Sequence, residues 1–279
     1  MKKIKLIAKD GASADITSQG AHLCSWIPAG GEEQLFLSRT STWEDGRAIR
    51  GGVPIIFPQF AGLGTLPKHG FARTAEWQLT YSDHDEEGAA RASFSLREDI
   101  SSLGIWPHAF RAQLLVRLSG DSLSLDFGVT NTGDTAFSFT AALHSYFLVR
   151  DLASSSVIGL EGHQYRDCVT GLDDQKQHEE QLLIQVEMDR IYLNIRQPLV
   201  IKQAHQSLHI TQTGFNDAVI WNPGAEKATQ LNDLESGAYQ QMICVEAAQI
   251  ASPIVLAPGE QWQGRQCLRV ISKSINASV

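Results

Sequence analysis

The chain has 279 residues, with 31 Asp and Glu against 23 Lys and Arg and a formal charge of −8. That length holds one large all-β or α/β domain, or two small ones, and buries a core without disulfide or metal staples. An acidic chain is a poor match to nucleic acid, which needs many clustered Lys and Arg, and no run of about 18 apolar residues marks a membrane span.

The beginning, "MKKIKLIAKDG", is basic, but Lys5, Lys9 and Asp10 interrupt any apolar stretch, so a secretory leader is not expected. The four cysteines (Cys24, Cys168, Cys244, Cys267) are scattered without a CxxC, as in a reduced, cytoplasmic protein. Between Gly46 and Ala75 there is no acidic residue, yet Arg47, Arg50, Lys68 and Arg73 lie there with six of the 23 glycines and three of the nine prolines. The segment is too long and irregular for a hairpin loop, and such loops are usually functional or disordered. Ile55, Ile56, Phe57, Phe60 and Phe71 argue for packing. Arginine forks match phosphate oxygens and glycines let backbone approach a ligand, so the island suits an anion. The alternative is a solvated loop whose bases pair with acids elsewhere. No GxxxxGK[ST] is present, so it is not a nucleotide P-loop.

Strand patterns follow in quick succession. "WQLTYS" (77–82) and "ARASFSL" (90–96) alternate, "DISSLG" (99–104) is a short helix candidate, and Phe110 to Asn131 reads as a hairpin turning at "SGD". In "TAFSFTAALHSYF", Phe137, Phe139, Ala141 and Leu143 share one face by period two. His144 then shares the other with Ser138, Thr140 and Ala142, a row of small side chains that leaves room for a ligand. A hydrogen-bonded structural histidine is the alternative.

Asp189, in "EMDRIYL", shares a face with Ile191 if that stretch is a strand, and either binds a hydroxyl or pairs with Arg190 or another base. "DAVIW" (217–221) is a strand with Asp217 as the turn residue opening it. "NPG" (222–224) and "APGE" (257–260) are turns, and "AEKATQLNDLE" (225–235) is a second short helix candidate. Trp106, Pro107, His108 and Trp221 read as packing residues. In "QMICVEAAQ", Met242, Cys244, Glu246 and Ala248 share one strand face. A carboxylate there is desolvated, which raises its pKa and suits a general acid or base. A strand-end Glu reaching solvent, or a buried ion pair with an Arg, is the alternative. "RQCLRVIS" closes the strand series, and "NAS" at Asn276 is a chance glycosylation sequon. The nine histidines show no HExxH or zinc spacing, so no metal is expected. Many strands, few helices and no linker indicate one all-β domain over residues 1–279.

The blocks "AIRGGVPIIFPQF", "HGFAR", "WPHAF", "ALHSYF", "DRIY", "DAVIWNPG", "CVEAA" and "LAPGE" occur in the order seen in the hexose-6-phosphate mutarotases. These are the glucose-6-phosphate 1-epimerases of the aldose 1-epimerase superfamily, and the chain resembles them over nearly its whole length. The resemblance implies a galactose-mutarotase-like β-supersandwich with few short helices, and interconversion of the α and β anomers of a sugar phosphate. It makes His144 the general acid, Glu246 the general base, Arg50 and Arg73 the phosphate clamp, and Asp189 a binder of sugar hydroxyls. Lys68 stands where relatives often carry Gln, which leaves its part open, and His69 is expected to line the same cleft. No metal or organic cofactor, nucleic acid or membrane is implied, and a monomer is the default. The alternatives are a non-catalytic sugar-phosphate sensor, whose signature is loss of the His or Glu, and a hydrolase, which needs two carboxylates.

Overall fold

A computed structural model describes residues 1–272 of the chain. The sequon at Asn276 lies outside them. The strands form three antiparallel sheets of three, eight and nine members. The small sheet holds Lys3–Ile7, Ser13–Thr17 and His22–Ile27. The two large sheets pack face to face over one apolar cluster. Phe94, Leu114, Leu125 and Phe127 enter it from the nine-stranded sheet, and Phe139, Leu143, Ile220 and Val245 from the eight-stranded one. Alternation makes this possible, because each strand sends every second side chain inward.

The expected hairpin is Phe110–Ser119 with Ser122–Asn131, paired from Phe110↔Asn131 to Ser119↔Ser122. "DISSLG" forms the helix Ile100–Ile105, capped by the Asp99 side chain on the Ser102 amide. The helix expected over 225–235 is only Gly224–Ala228. Beyond it the chain breaks into turns, and its acids bind outward: Asp233 to Arg50, and Glu235 to Ser38 and Arg39. Those long-range bonds favour an open turn over another helical turn.

The strand Met242–Leu256 runs through the middle of the eight-stranded sheet, between Asp217–Asn222 and Phe137–Leu143. Ile243, Val245 and Ala247 face the main core. Met242, Cys244 and Ala248 contribute to two smaller clusters on the opposite face, as the period-two pattern predicts. The pairing shifts register between Gln249 and Ile254. Asp217 does open its strand, but it is buried, and its Oδ2 accepts from the Ile250 and Ala251 amides at 2.8 Å each, where that ladder is interrupted.

Residues 46–75 contain only the two-residue strand Ile55–Ile56, and the apolar anchors expected from the sequence, Ile55, Ile56, Phe57, Phe60 and Phe71, are all buried and pin the segment. Two of its glycines show how closely the backbone approaches. Gly52 (φ +60°) would place a Cβ 2.2 Å from the Leu23 carbonyl oxygen, and Gly70 (φ +65°) one 2.1 Å from that of Phe57. No other residue adopts such backbone at that spacing without displacing its neighbour.

Candidate active site

A cleft of about 420 Å³ opens on the outer face of the eight-stranded sheet, within the size range of small-molecule sites. All seven residues singled out from the sequence line it: Arg50, Lys68, His69, Arg73, His144, Asp189 and Glu246.

Strand register builds its floor. Leu143 pairs with Ala247 and Tyr146 with Cys244, so one register holds on both sides of the short break after Leu143. His144 in between therefore lies across from Glu246. Nε2 of His144 is 3.3 Å from Oε1 of Glu246, and the two residues are 7 % and 1 % exposed. The carboxyl thus neither reaches solvent nor pairs with an arginine; its partner is an imidazole. Behind this pair, Ser145 Oγ donates to Gln266 Oε1 at 2.6 Å, and Gln266 Nε2 donates to the Val245 carbonyl at 3.1 Å. A side chain of the nine-stranded sheet thereby fixes the backbone next to both residues.

Both groups are driven toward their neutral forms. Burial, followed by His69, Arg50 and Arg73, holds His144 well below the usual imidazole range. Burial, with the Asp189 charge second, holds Glu246 well above the usual carboxylate range. Neither His144 Nδ1 nor Glu246 Oε2 has a hydrogen-bond partner among the described residues.

The acid-free segment forms one wall. Arg50 donates from Nε and Nη2 to Asp233 Oδ1 (3.2 and 3.1 Å) and from Nη1 to the Tyr146 hydroxyl (3.1 Å). Burial pulls its pKa down, but Tyr146 and Asp233 outweigh this and leave it raised. The solvated-loop alternative is thus half right for Arg50, which does have an acid partner. Arg73 donates from Nη2 to the Lys68 carbonyl at 3.1 Å, and its Nε has no partner among the described residues. Burial, then the Arg50 charge, lowers its pKa. His69 sits at φ +67°, 5.8 Å from the His144 ring. Burial and the Arg73, Lys68 and Arg50 charges push its imidazole down to about 3.

On the other side, Asp189 and Ile191 share the strand Met188–Tyr192 and both line the cleft. Arg190 turns to Asp167 instead. Burial raises the Asp189 pKa against the opposing Lys227 and Lys68 charges.

Three residues were not singled out or were read differently from the sequence. Tyr146 stacks on His144, with ring centroids 4.7 Å apart and planes 8° from parallel. Trp221, expected only to pack, also lines the cleft, edge-on to His144 at 5.9 Å. Asp233 holds Arg50. An aromatic two residues after His144 was a readable signal for Tyr146, because period two puts both on one face; nothing local marked Asp233. Among the described residues no group of three or more His, Cys, Asp and Glu is arranged to hold a metal ion. No helix there is long and apolar enough to cross a membrane.

The architecture is that of a mutarotase. A crystal structure of a Salmonella typhimurium protein provisionally named a mutarotase matches with a TM-score of 0.87 and 30% identity, over 94% of this chain and 88% of that one. Residues 2–269 match the aldose 1-epimerase family, and the chain belongs to it. A Cenchrus ciliaris protein provisionally named a glucose-6-phosphate 1-epimerase is 36% identical over 98% of this chain and 86% of its own length. An Escherichia coli K12 protein with the same provisional name is 35% identical over 84% of this chain and 79% of its own. The resemblance read from the short sequence blocks is borne out.

Proposed function

We propose that the protein is a hexose-6-phosphate mutarotase, interconverting the α and β anomers of glucose 6-phosphate or a related aldohexose 6-phosphate. The names of the relatives support that substrate class. The observation that carries it is the 3.3 Å contact of His144 with Glu246 on the floor of a cation-lined cleft. Mutarotation removes a proton from the anomeric hydroxyl O1 and delivers one to the ring oxygen O5. Both oxygens are bonded to C1, so two groups already in contact with each other can reach both.

Glu246 takes the O1 proton as base while His144 gives one to O5 as acid. The C1–O5 bond breaks to leave the open aldehyde, C1–C2 rotates, and the ring closes on the other face with the roles exchanged. A neutral His144 beside a protonated Glu246 differs from imidazolium beside carboxylate only by where one proton sits. The pair therefore holds the proton count the cycle needs. Arg50 and Arg73 hold the phosphate, Lys68 adds charge at the rim, His69 lines the cleft, and Asp189 accepts from sugar hydroxyls. Nothing in this cycle calls for a metal or organic cofactor, and the partner is a small sugar phosphate, without nucleic acid or membrane. The free state of all four cysteines supports a cytoplasmic setting. We take the chain as one domain and a monomer; the apolar cluster shared by both large sheets supports the former.

The test is anomer exchange in glucose 6-phosphate by saturation-transfer NMR, with free glucose in parallel. Faster exchange with glucose 6-phosphate alone is the expected result. Binding without acceleration would turn the assignment to a sugar-phosphate sensor.

A further inference from the structure

Resting on that mutarotase assignment, we propose that the substrate's phosphate dianion is a trigger as well as a handle. Docked between Arg50 and Arg73, it drives the proton of Glu246 onto His144 and so creates the acid and base that open the ring.

His144 is the member of the pair that faces the clamp. Tyr146 covers its ring, and the Tyr146 hydroxyl accepts from Arg50. His69, on the segment that carries Arg73, stands on another side. Glu246 meets the imidazole through Nε2, with Cys244 two residues before it on the strand and Asp189 the charge acting on it. The resting cleft also holds surplus positive charge. Asp233 answers Arg50, but neither Arg73 nor Lys68 has a carboxylate within 4 Å among the described residues. Two unanswered cations match the charge of one phosphate dianion.

The imidazole stands on the clamp side of the pair: the ring stacked on it carries the hydroxyl that Arg50 holds, and His69 of the Arg73 segment meets it edge-on, whereas the carboxyl touches it from the other strand. Filling the clamp therefore changes the potential at the imidazole more than at the carboxyl. The proton crosses the 3.3 Å contact from the Glu246 carboxyl to His144 Nε2, leaving carboxylate and imidazolium, with none exchanged with solvent. Tyr146 and Cys244, both raised by burial, stay neutral, as does the depressed His69. The Tyr146 ring face then covers a cation, which its quadrupole favours.

A clamp that only binds leaves its mark on KM; a trigger acts on kcat. The experiment supplies the dianion separately. Anomer exchange in free glucose is followed with enzyme and increasing inorganic phosphate, after subtraction of the phosphate-only rate, with glucose 6-phosphate as a parallel sample. The expected result is a saturable acceleration of the enzymatic rate on glucose by about tenfold, the equivalent of one pH unit in the His144 equilibrium, and its loss in Arg73→Ala. An enzyme active on glucose 6-phosphate, whose rate on glucose phosphate leaves unchanged or lowers, overturns the trigger and keeps the mutarotase. Inactivity on both sugars overturns both. A second measurement reads the proton itself. In 15N-histidine NMR, glucitol 6-phosphate, which has no anomeric carbon, should convert His144 to imidazolium while glucitol does not. Binding of glucitol 6-phosphate with His144 still neutral overturns the trigger as well.

Discussion

Nε2 of His144 lies 3.3 Å from Oε1 of Glu246, and almost no surface of either residue reaches water. A surface pair at this distance would be ionised and worth little. Here burial dominates: it holds the imidazole below and the carboxyl above their usual ranges, so it favours the neutral form of each, which one shared proton supplies. That state is costly for the carboxyl, because the unfolded chain would release its proton above pH 4.5 while the folded chain keeps it. Stability tied to Glu246 is therefore full below that pH and falls as pH rises.

Glu246→Gln is accordingly expected to separate activity from stability. Anomer exchange should fall by ~10²–10⁴-fold, the usual contribution of a proton-transfer group. Unfolding free energy at pH 7 should rise by about 1 kcal/mol or more, with the gain vanishing near pH 4.5. Denaturant unfolding at both pH values checks it; a variant less stable at pH 7 would show that Glu246 is ionised in the fold.

Arg73→Ala is expected to raise KM for glucose 6-phosphate by about tenfold or more, the loss of one charge-assisted bond, to lower kcat on that sugar as the dianion's hold on His144 weakens, and to leave KM for glucose nearly unchanged. Arg50→Ala should do the same and also free Asp233. Steady-state kinetics on both sugars decide; an Arg73→Ala enzyme that still prefers the phosphorylated sugar as strongly as before removes Arg73 from the clamp.

His22 supplies a pH dependence that is purely structural. It is fully buried, with Nε2 2.8 Å from the Gly51 carbonyl oxygen, and burial pushes its imidazole down to about 4. Unfolded, it takes up a proton below pH 6.5; folded, it does so only near pH 4. The stability it permits above pH 6.5 is thus lost progressively between those values, about 2 kcal/mol by pH 5. Urea unfolding at pH 7 and pH 5 should show this slope flattened in His22→Gln. Equal losses in variant and parent would exclude His22 as its source.

Gln266→Leu keeps the volume but leaves the Val245 carbonyl without its Gln266 donor in the core and Ser145 Oγ with only the long 3.5 Å bond to the Leu143 carbonyl. A cost of about 2–4 kcal/mol is expected, seen as a lower Tm. Because those groups flank His144 and Glu246, kcat should fall while KM for glucose 6-phosphate barely moves. Unchanged kcat per folded molecule would limit Gln266 to stability.

The amino-acid sequence by itself determined the all-β class, the Phe110–Asn131 hairpin, the faces on which His144 and Glu246 lie, and the segregation of cations into an acid-free segment. Each is local: period two assigns a side chain to a face, and composition is read without knowing the path of the chain. The family blocks added the roles expected of His144 and Glu246. Tertiary structure alone decided that these two lie across from each other, since register depends on which strands pair and how far they slide. It also decided that Arg50 is held by Asp233, that Tyr146 covers His144, that Trp221 lines the cleft, and that the helix expected over 225–235 stops after one turn. In each case the partner comes from a distant part of the chain, and a bond closed by the fold outweighs the local propensity that the sequence displays.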